Sequence, residues 1–189
     1  MCGIIGYSGP KEPLPILLGG LSRLEYRGYD SAGVAILDGE TLTIEKKEGK
    51  LQVLKDHLAD SKINGNIGIG HTRWATHGVP NDVNAHPHSD NKNEFAIIHN
   101  GIIENYAEMK DDLLKEGFKF ESDTDTEVVA VELGNQWTGQ LLETVTNVAK
   151  KLDGTYALVV TSTKEPGTIV AGRMMSPLVL GVGEGETFL

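Results

Sequence analysis

The sequence predicts an α+β fold, and three observations carry that expectation. Short β-type runs outnumber helical patterns, and the two kinds are not strictly interleaved as a doubly wound sheet would require. At 189 residues and 39% hydrophobic content, the chain can build one substantial core but is short for two domains. No repeat, low-complexity tract or polar linker divides it.

The strands are expected at Gly3–Tyr7, Gly33–Leu37, Thr41–Lys46, Ile67–Thr72, Glu94–His99, Tyr156–Thr161, Thr168–Ala171 and Leu178–Val182. Helical patterns fall at Leu14–Leu24, Leu51–Asp60, Tyr106–Glu116, Asp125–Leu133 and Leu141–Leu152. Two helices carry start signals of the capping-box type, Asn105-x-x-Glu108 and Thr124-x-x-Glu127. The second puts Asp125 in the first turn, at the positive end of a helix dipole.

A net charge of -10 argues against a general nucleic-acid binder. No stretch approaches the ~20 apolar residues that span a bilayer, and the first residues lack the basic start of a secretory signal. With one cysteine there is no internal disulfide framework, so a cytoplasmic setting is expected. The close at Gly181–Leu189 reads as a strand followed by the start of another element, which suggests a domain cut from a longer protein.

That one cysteine is Cys2, which becomes N-terminal once Met1 is removed. A terminal Cys carries a thiol (pKa ~8.5) and an α-amine (pKa ~7.7–8.0) that can act as its base. The alternative is a small apolar residue opening a buried strand. His99-Asn100-Gly101 also reads two ways, as a turn or as an oxyanion hole built from the Asn amide and the Gly N–H. Arg73 suits a bidentate carboxylate contact or a surface ion pair. Trp74 fits a core or a mobile lid, and Asp125 a held ammonium or a first-turn charge.

His71, His77, His86, His88 and His99 match no zinc spacing, so no metal is expected; His86-Pro87-His88 reads as a rigid supporting loop. The Gly-rich stretches match no phosphate-loop pattern, so no nucleotide cofactor is expected either.

Taken in order, these residues resemble the glutaminase domain of class II glutamine amidotransferases, an N-terminal-nucleophile hydrolase family. The likeness runs through Cys2-Gly3-Ile4-Ile5-Gly6, Tyr26–Gly33, His71–Gly78, Asn84–His88, His99–Asn105 and Thr124–Glu127, and covers nearly the whole chain. The Tyr26-Arg27-Gly28-Tyr29-Asp30-Ser31-Ala32-Gly33 run is similar to the branch that passes ammonia to fructose 6-phosphate.

The resemblance implies a four-layer αββα sandwich over residues 2–189 and an L-glutamine substrate. It implies Cys2 as nucleophile with its α-amine as base, and Asn100 and Gly101 as the oxyanion hole. Arg73 would hold the substrate carboxylate and Asp125 its ammonium. Thr76, His77 and Gly101 would complete the pocket, Trp74 would lie in a closing loop, and Arg27 and His86 would support the site. Complete enzymes of this branch add C-terminal sugar-isomerase domains and are homodimers. Retention of Met1 would turn the basic amine into an inert amide nitrogen. The alternatives are a glutaminase serving another acceptor, or a silent glutamine-binding module. One departure stands near the end, where Met175 replaces a Gly of the pattern Arg-x-Gly-Ser-Pro-Leu.

Overall fold

The computed structural model describes residues 2–74 and 78–189, the Arg27 side chain excepted. Two antiparallel sheets form the centre. The first has strand order β3-β2-β4-β1-β10-β9 and the second β5-β6-β7-β8. In chain order these are β1 Gly3–Ser8, β2 Ser31–Asp38, β3 Thr41–Glu48, β4 Ile67–Arg73, β5 His88–Ser89, β6 Phe95–Ile103, β7 Gly154–Ser162, β8 Ile169–Met174, β9 Gly181–Val182 and β10 Thr187–Phe188.

The helices are α1 Pro13–Leu24, α2 Leu51–His57, α3 Tyr106–Lys115, α4 Asp125–Asn135 and α5 Leu141–Ala149. Helices α1 and α2 cover the outer face of the first sheet, α4 and α5 that of the second, and α3 packs on α4. The sheets face each other through Ala35, Leu37, Ile67, Ile69, Ala96, Ile98 and Val159. The layers are therefore helix, sheet, sheet, helix, the expected αββα sandwich.

Strand periodicity explains the layering. In β4, Ile67 and Ile69 point into the space between the sheets while Gly68 and Gly70 lie under α1. A Cβ on Gly68 would stand 2.7 Å from Leu17 Cδ1, and one on Gly70 3.2 Å from Leu21 Cδ1. The two glycines let α1 sit close, with Pro13, Leu17 and Leu21 buried at four-residue spacing. Pro13 also starts that helix, where a missing N–H costs nothing. Helix α4 differs: every residue from Asp125 to Leu133 is buried, because it lies between a sheet and its neighbouring helices.

Several local expectations need correction. Thr124 Oγ1 does accept from the Glu127 N–H (3.4 Å), but Glu127 turns to the Glu121 and Ser122 N–H groups (2.9 and 2.7 Å). Asn105 is the N-cap of α3 without a side-chain cap bond. Its amide ties loops together instead, donating to Lys151 O (2.7 Å) and accepting from the Asp153 N–H (3.0 Å). Of the expected strand Leu178–Val182 only Gly181–Val182 pairs, and Val179 and Leu180 are exposed. Leu189 exchanges backbone hydrogen bonds with Gly6 at 2.9 and 3.0 Å. Among the described residues, no helix is long and apolar enough to cross a membrane.

Met175 has φ of 66°, the left-handed region a glycine takes freely. Its side chain is 79% exposed, so little packing offsets the backbone cost. The left-handed conformation costs about 1–2 kcal/mol, against about 0.5–1 kcal/mol for the extra chain freedom of glycine. Met175→Gly should therefore raise the unfolding free energy by up to about 1 kcal/mol in a urea titration. A loss of stability would show that this backbone conformation is not kept in solution.

Candidate active site

Even-numbered residues of β1 and β6 face the gap between the sheets, and both strands deliver a functional group to the same rim. Cys2 continues the face of Ile4 and Gly6 from the first sheet. Asn100 continues the face of Ala96 and Ile98 from the second. Cys2, Arg73, Trp74, His86, Asn100, Gly101 and Asp125 line one cavity of about 340 Å³, together with His99, Ile102, Thr124, Thr126 and Thr155. A larger cavity of about 540 Å³, lined by Gly6, Arg173 and Leu178 among others, lies elsewhere and contains none of the candidate residues.

Cys2 is partly buried, and its Sγ accepts from the Trp74 N–H at 3.3 Å and lies 3.7 Å from Trp74 O. Burial pushes the Cys2 thiol above its ordinary pKa, opposed by the Trp74 N–H and by Arg73. A thiol raised in this way rests protonated at neutral pH and needs a base to become a nucleophile.

Arg73 ends β4 and is 3% exposed. Its Nη2 donates to Gly78 O (3.2 Å), and its Nη1 lies 3.9 Å from Asp30 Oδ1. Asp125 opens α4 with 4% exposure; its Oδ2 accepts from the Ile103 N–H (2.9 Å) and its Oδ1 from the Thr126 hydroxyl (3.3 Å). A buried cation and a buried carboxylate thus stand on one small cavity, a charge pattern matched to an α-amino acid.

The Asn100-Gly101 pair is not a hairpin tip. Strand β6 runs through it from Phe95 to Ile103, paired with β7 throughout. Gly101 has φ of 145°, and a Cβ there would overlap Thr155 O. Only glycine can rotate the peptide unit between Asn100 and Gly101 in this way inside a strand.

Behind the cavity lies a stack of imidazoles. His71 and His86 stack at 4.3 Å between centroids, and His88 meets His86 edge-on at 4.7 Å. Thr126 Oγ1 lies 2.8 Å from His86 Nε2 and 2.9 Å from His99 Nδ1, while His88 Nε2 lies 3.0 Å from Thr124 Oγ1. Among the described residues no group of His, Cys, Asp and Glu converges as a metal would require. The peptide bond His86-Pro87 is cis.

Burial holds His71 down to a pKa of about 3, and lowers His86 and His88 well below the usual histidine value of 6.5. These rings are neutral in the folded chain at neutral pH, whereas the unfolded chain takes up protons below pH 6.5. Stability should therefore fall progressively as pH drops below 6.5, with the loss from His71 continuing toward pH 3. Urea midpoints at pH 7, 6 and 5 test this, and a flat profile would rule it out.

Residues with no assigned role in the sequence reading complete the frame. Asp30, inside the Tyr26–Gly33 run, donates its N–H to Arg73 O (2.7 Å) besides facing the guanidinium. Trp74 is 53% exposed, so it is not a core residue, and its ring lies where a Cβ on Gly28 (φ 79°) would be. That run is thus a seat for Arg73 and Trp74. Thr126, Thr155 and His99 also reach the cavity; an Asp-Thr pair opening a helix was the available signal for Thr126. Thr76, His77, Met1 and the Arg27 side chain lie outside the described residues.

Residues 71–189 match the model of the glutamine amidotransferase domain. The chain belongs to this family. The amidotransferase chain is 54% identical over 189 residues to the isomerizing glutamine–fructose-6-phosphate aminotransferase of Aquifex aeolicus, covering all of this chain and 32% of that protein. It is 51% identical to the enzyme of that name from Clostridium acetobutylicum, covering 31% of it. Among solved structures, the amidotransferase fold superposes on glutamine phosphoribosylpyrophosphate amidotransferase of B. subtilis, complexed with ADP and GMP, with a TM-score of 0.84. That pair shares 28% identity over all of this chain and 41% of the other. The sandwich is thus the N-terminal-nucleophile type. The chain spans about a third of the length of the curated relatives it matches.

Proposed function

We propose that this chain hydrolyses the side-chain amide of L-glutamine to glutamate and ammonia through a thioester on Cys2. The observation that carries the reading is one cavity holding the thiol, the Asn100-Gly101 pair, Arg73 and Asp125 together. Arg73 receives the substrate α-carboxylate and Asp125 the α-ammonium, which points the side-chain amide at Sγ. An amide without both charged groups would leave a buried charge unpaired and be rejected.

With Met1 removed, the Cys2 α-amine takes the thiol proton as sulfur attacks the amide carbon. The raised thiol pKa makes that base necessary, and the Trp74 N–H supports the sulfur as its negative charge develops. The tetrahedral oxyanion is held by the Asn100 amide and the Gly101 N–H. The α-ammonium returns its proton to the leaving nitrogen, ammonia departs, and the γ-glutamyl thioester remains. Water, giving its proton to the amine, attacks the thioester; glutamate leaves and the thiol is restored. On the same reading Thr76, His77 and Gly101 would complete substrate binding, Trp74 would belong to a closing loop, and Arg27 and His86 would support the site.

In the complete protein this unit, residues 2–189, would pass its ammonia to fructose 6-phosphate for glucosamine 6-phosphate synthesis. The name and threefold greater length of the relatives support that assignment. The remainder would comprise the C-terminal sugar-isomerase domains, in a cytoplasmic homodimer. The test is glutamate release from glutamine by protein whose intact mass shows Met1 removed. Release unaffected by chelator is expected; none from folded, processed protein would overturn the reading.

A further inference from the structure

Arg73 and Asp125 come from different layers, β4 of the first sheet and the start of α4 outside the second. An α-amino acid carries both of its charges on one carbon, so a receptor for it must hold the two counter-charges at a fixed separation. Asn84 stands where the supports of these two residues meet. It lies behind the cavity wall, is 1% exposed, and touches the substrate space nowhere.

Both polar atoms of its side chain are engaged. Nδ2 donates to Val79 O (2.9 Å) and to Asp123 Oδ2 (3.2 Å), while Oδ1 accepts from the Asp123 N–H (2.9 Å). Its own backbone N–H is fixed by Asn81 Oδ1 (2.6 Å). On one side, Gly78 rests against the amide: a Cβ on Gly78 (φ 73°) would stand 2.6 Å from Asn84 Nδ2 and 3.0 Å from Asp123 Cβ. Gly78 O is the acceptor for the Arg73 guanidinium. On the other side, Asp123 leads through the Thr124 cap into Asp125. The segment is also pinned to β3, where Lys46 Nζ donates to Val83 O and Ala85 O (2.9 and 3.0 Å) and Asp82 pairs with Lys47 (2.7 Å).

We infer that Asn84 is a positioning residue that sets the separation of Arg73 and Asp125, and so the selectivity for the α-amino-acid end of the substrate. The inference rests on the reading of those two residues as the glutamine clamp. An amide is required because it offers a donor to the Val79 carbonyl and Asp123 carboxylate and an acceptor to the Asp123 N–H at once. Asn84→Asp keeps the acceptor but turns a second oxygen toward two oxygens.

The experiment measures glutamine hydrolysis by processed wild type, Asn84→Asp, Asp123→Ala and the double variant Asn84→Asp/Asp123→Asn. Alongside it runs the rate at which iodoacetamide, which needs no amino-acid clamp, alkylates Cys2. For Asn84→Asp, KM should rise about 10- to 50-fold with kcat within about threefold, as expected for lost buried hydrogen bonds. The double variant restores a donor opposite the residue-84 carboxylate and should recover part of the loss. Asp123 is exposed, so Asp123→Ala should fold even if Asn84→Asp does not; its KM should rise about three- to tenfold. Iodoacetamide rates should stay within about twofold throughout. An unchanged KM in Asp123→Ala and in any folded Asn84→Asp overturns the inference, as does a fall in kcat matched by slower alkylation. A wild-type chain inert toward glutamine overturns the underlying glutaminase reading as well, and so is told apart.

Discussion

Replacing Cys2 with alanine is expected to lower glutamate release by about 10⁴-fold or more, to the background rate, while the melting temperature moves by no more than about 3 °C. The size of the first effect follows from covalent chemistry: without Sγ no thioester forms, and no other described nucleophile lines the cavity in a position to replace it. The smallness of the second follows from what the sulfur touches. Among the described residues its hydrogen-bond contacts are with the Trp74 backbone, at sulfur distances of 3.3 and 3.7 Å. The strand itself is fixed by the pairing of Gly3 with Thr72 and the Gly3 N–H to Thr72 Oγ1 bond (3.2 Å), which alanine leaves intact. Such a variant should still bind glutamine, since Arg73 and Asp125 are untouched. Calorimetric titration of Cys2→Ala with glutamine would check this; undiminished glutamate release from it would sink the thiol mechanism.

Asp125→Asn should lower kcat/KM for glutamine by two to three orders of magnitude, about 3–4 kcal/mol. The substitution removes a charge and, with it, the acceptor of the long Thr126 hydroxyl bond (3.3 Å). The asparagine oxygen can keep the Ile103 N–H bond that the carboxylate holds at 2.9 Å, and the helix cap is made by Thr124. On the proposed reading, what is lost is the counter-charge for a buried substrate ammonium, and a burial of that kind is costly when one partner is missing. The loss should be much smaller for a substrate without an α-amino group, so the ratio of glutamine to 4-carbamoylbutanoate turnover should collapse. A variant with that ratio unchanged would remove Asp125 from the substrate clamp.

Much of this frame was legible in the sequence because strands and loops announce themselves locally. Ile67-Gly68-Ile69-Gly70 showed its period, and Cys2, Arg73, Asn100 and Asp125 stood at strand or helix ends, where the cavity indeed gathers them. What local sequence did not contain was partnership across distance. Leu178–Val182 reads as a strand, yet only Gly181–Val182 pairs and Val179 and Leu180 are exposed, since apolarity does not say what pairs with it or covers it. The two-residue strand β10 is held by partners on both sides, β1 and β9, neither of them visible in its own two residues. Asn105 looked like a full cap, but its amide found two loop partners far along the chain. Asn84 gave no local signal of the two separate supports it joins, because its partners Val79 and Asp123 lie elsewhere in the chain.

The proposed nucleophile and the donors proposed to face it stand on separate sheets, Cys2 beside β1 and Asn100-Gly101 on β6, with an apolar interlayer of Ile69, Ile98 and Val159 between those sheets. That interlayer is a spacer, and on the proposed mechanism its thickness would set the gap between sulfur and donors. Shaving a methyl group from it, well away from any polar atom, would act like loosening the screw of a micrometer: the jaws remain intact but no longer close on the same dimension. Evolution can therefore tune reactivity through residues that never meet the substrate, and a designer seeking a slower or broader amidase should look to that hydrocarbon seam.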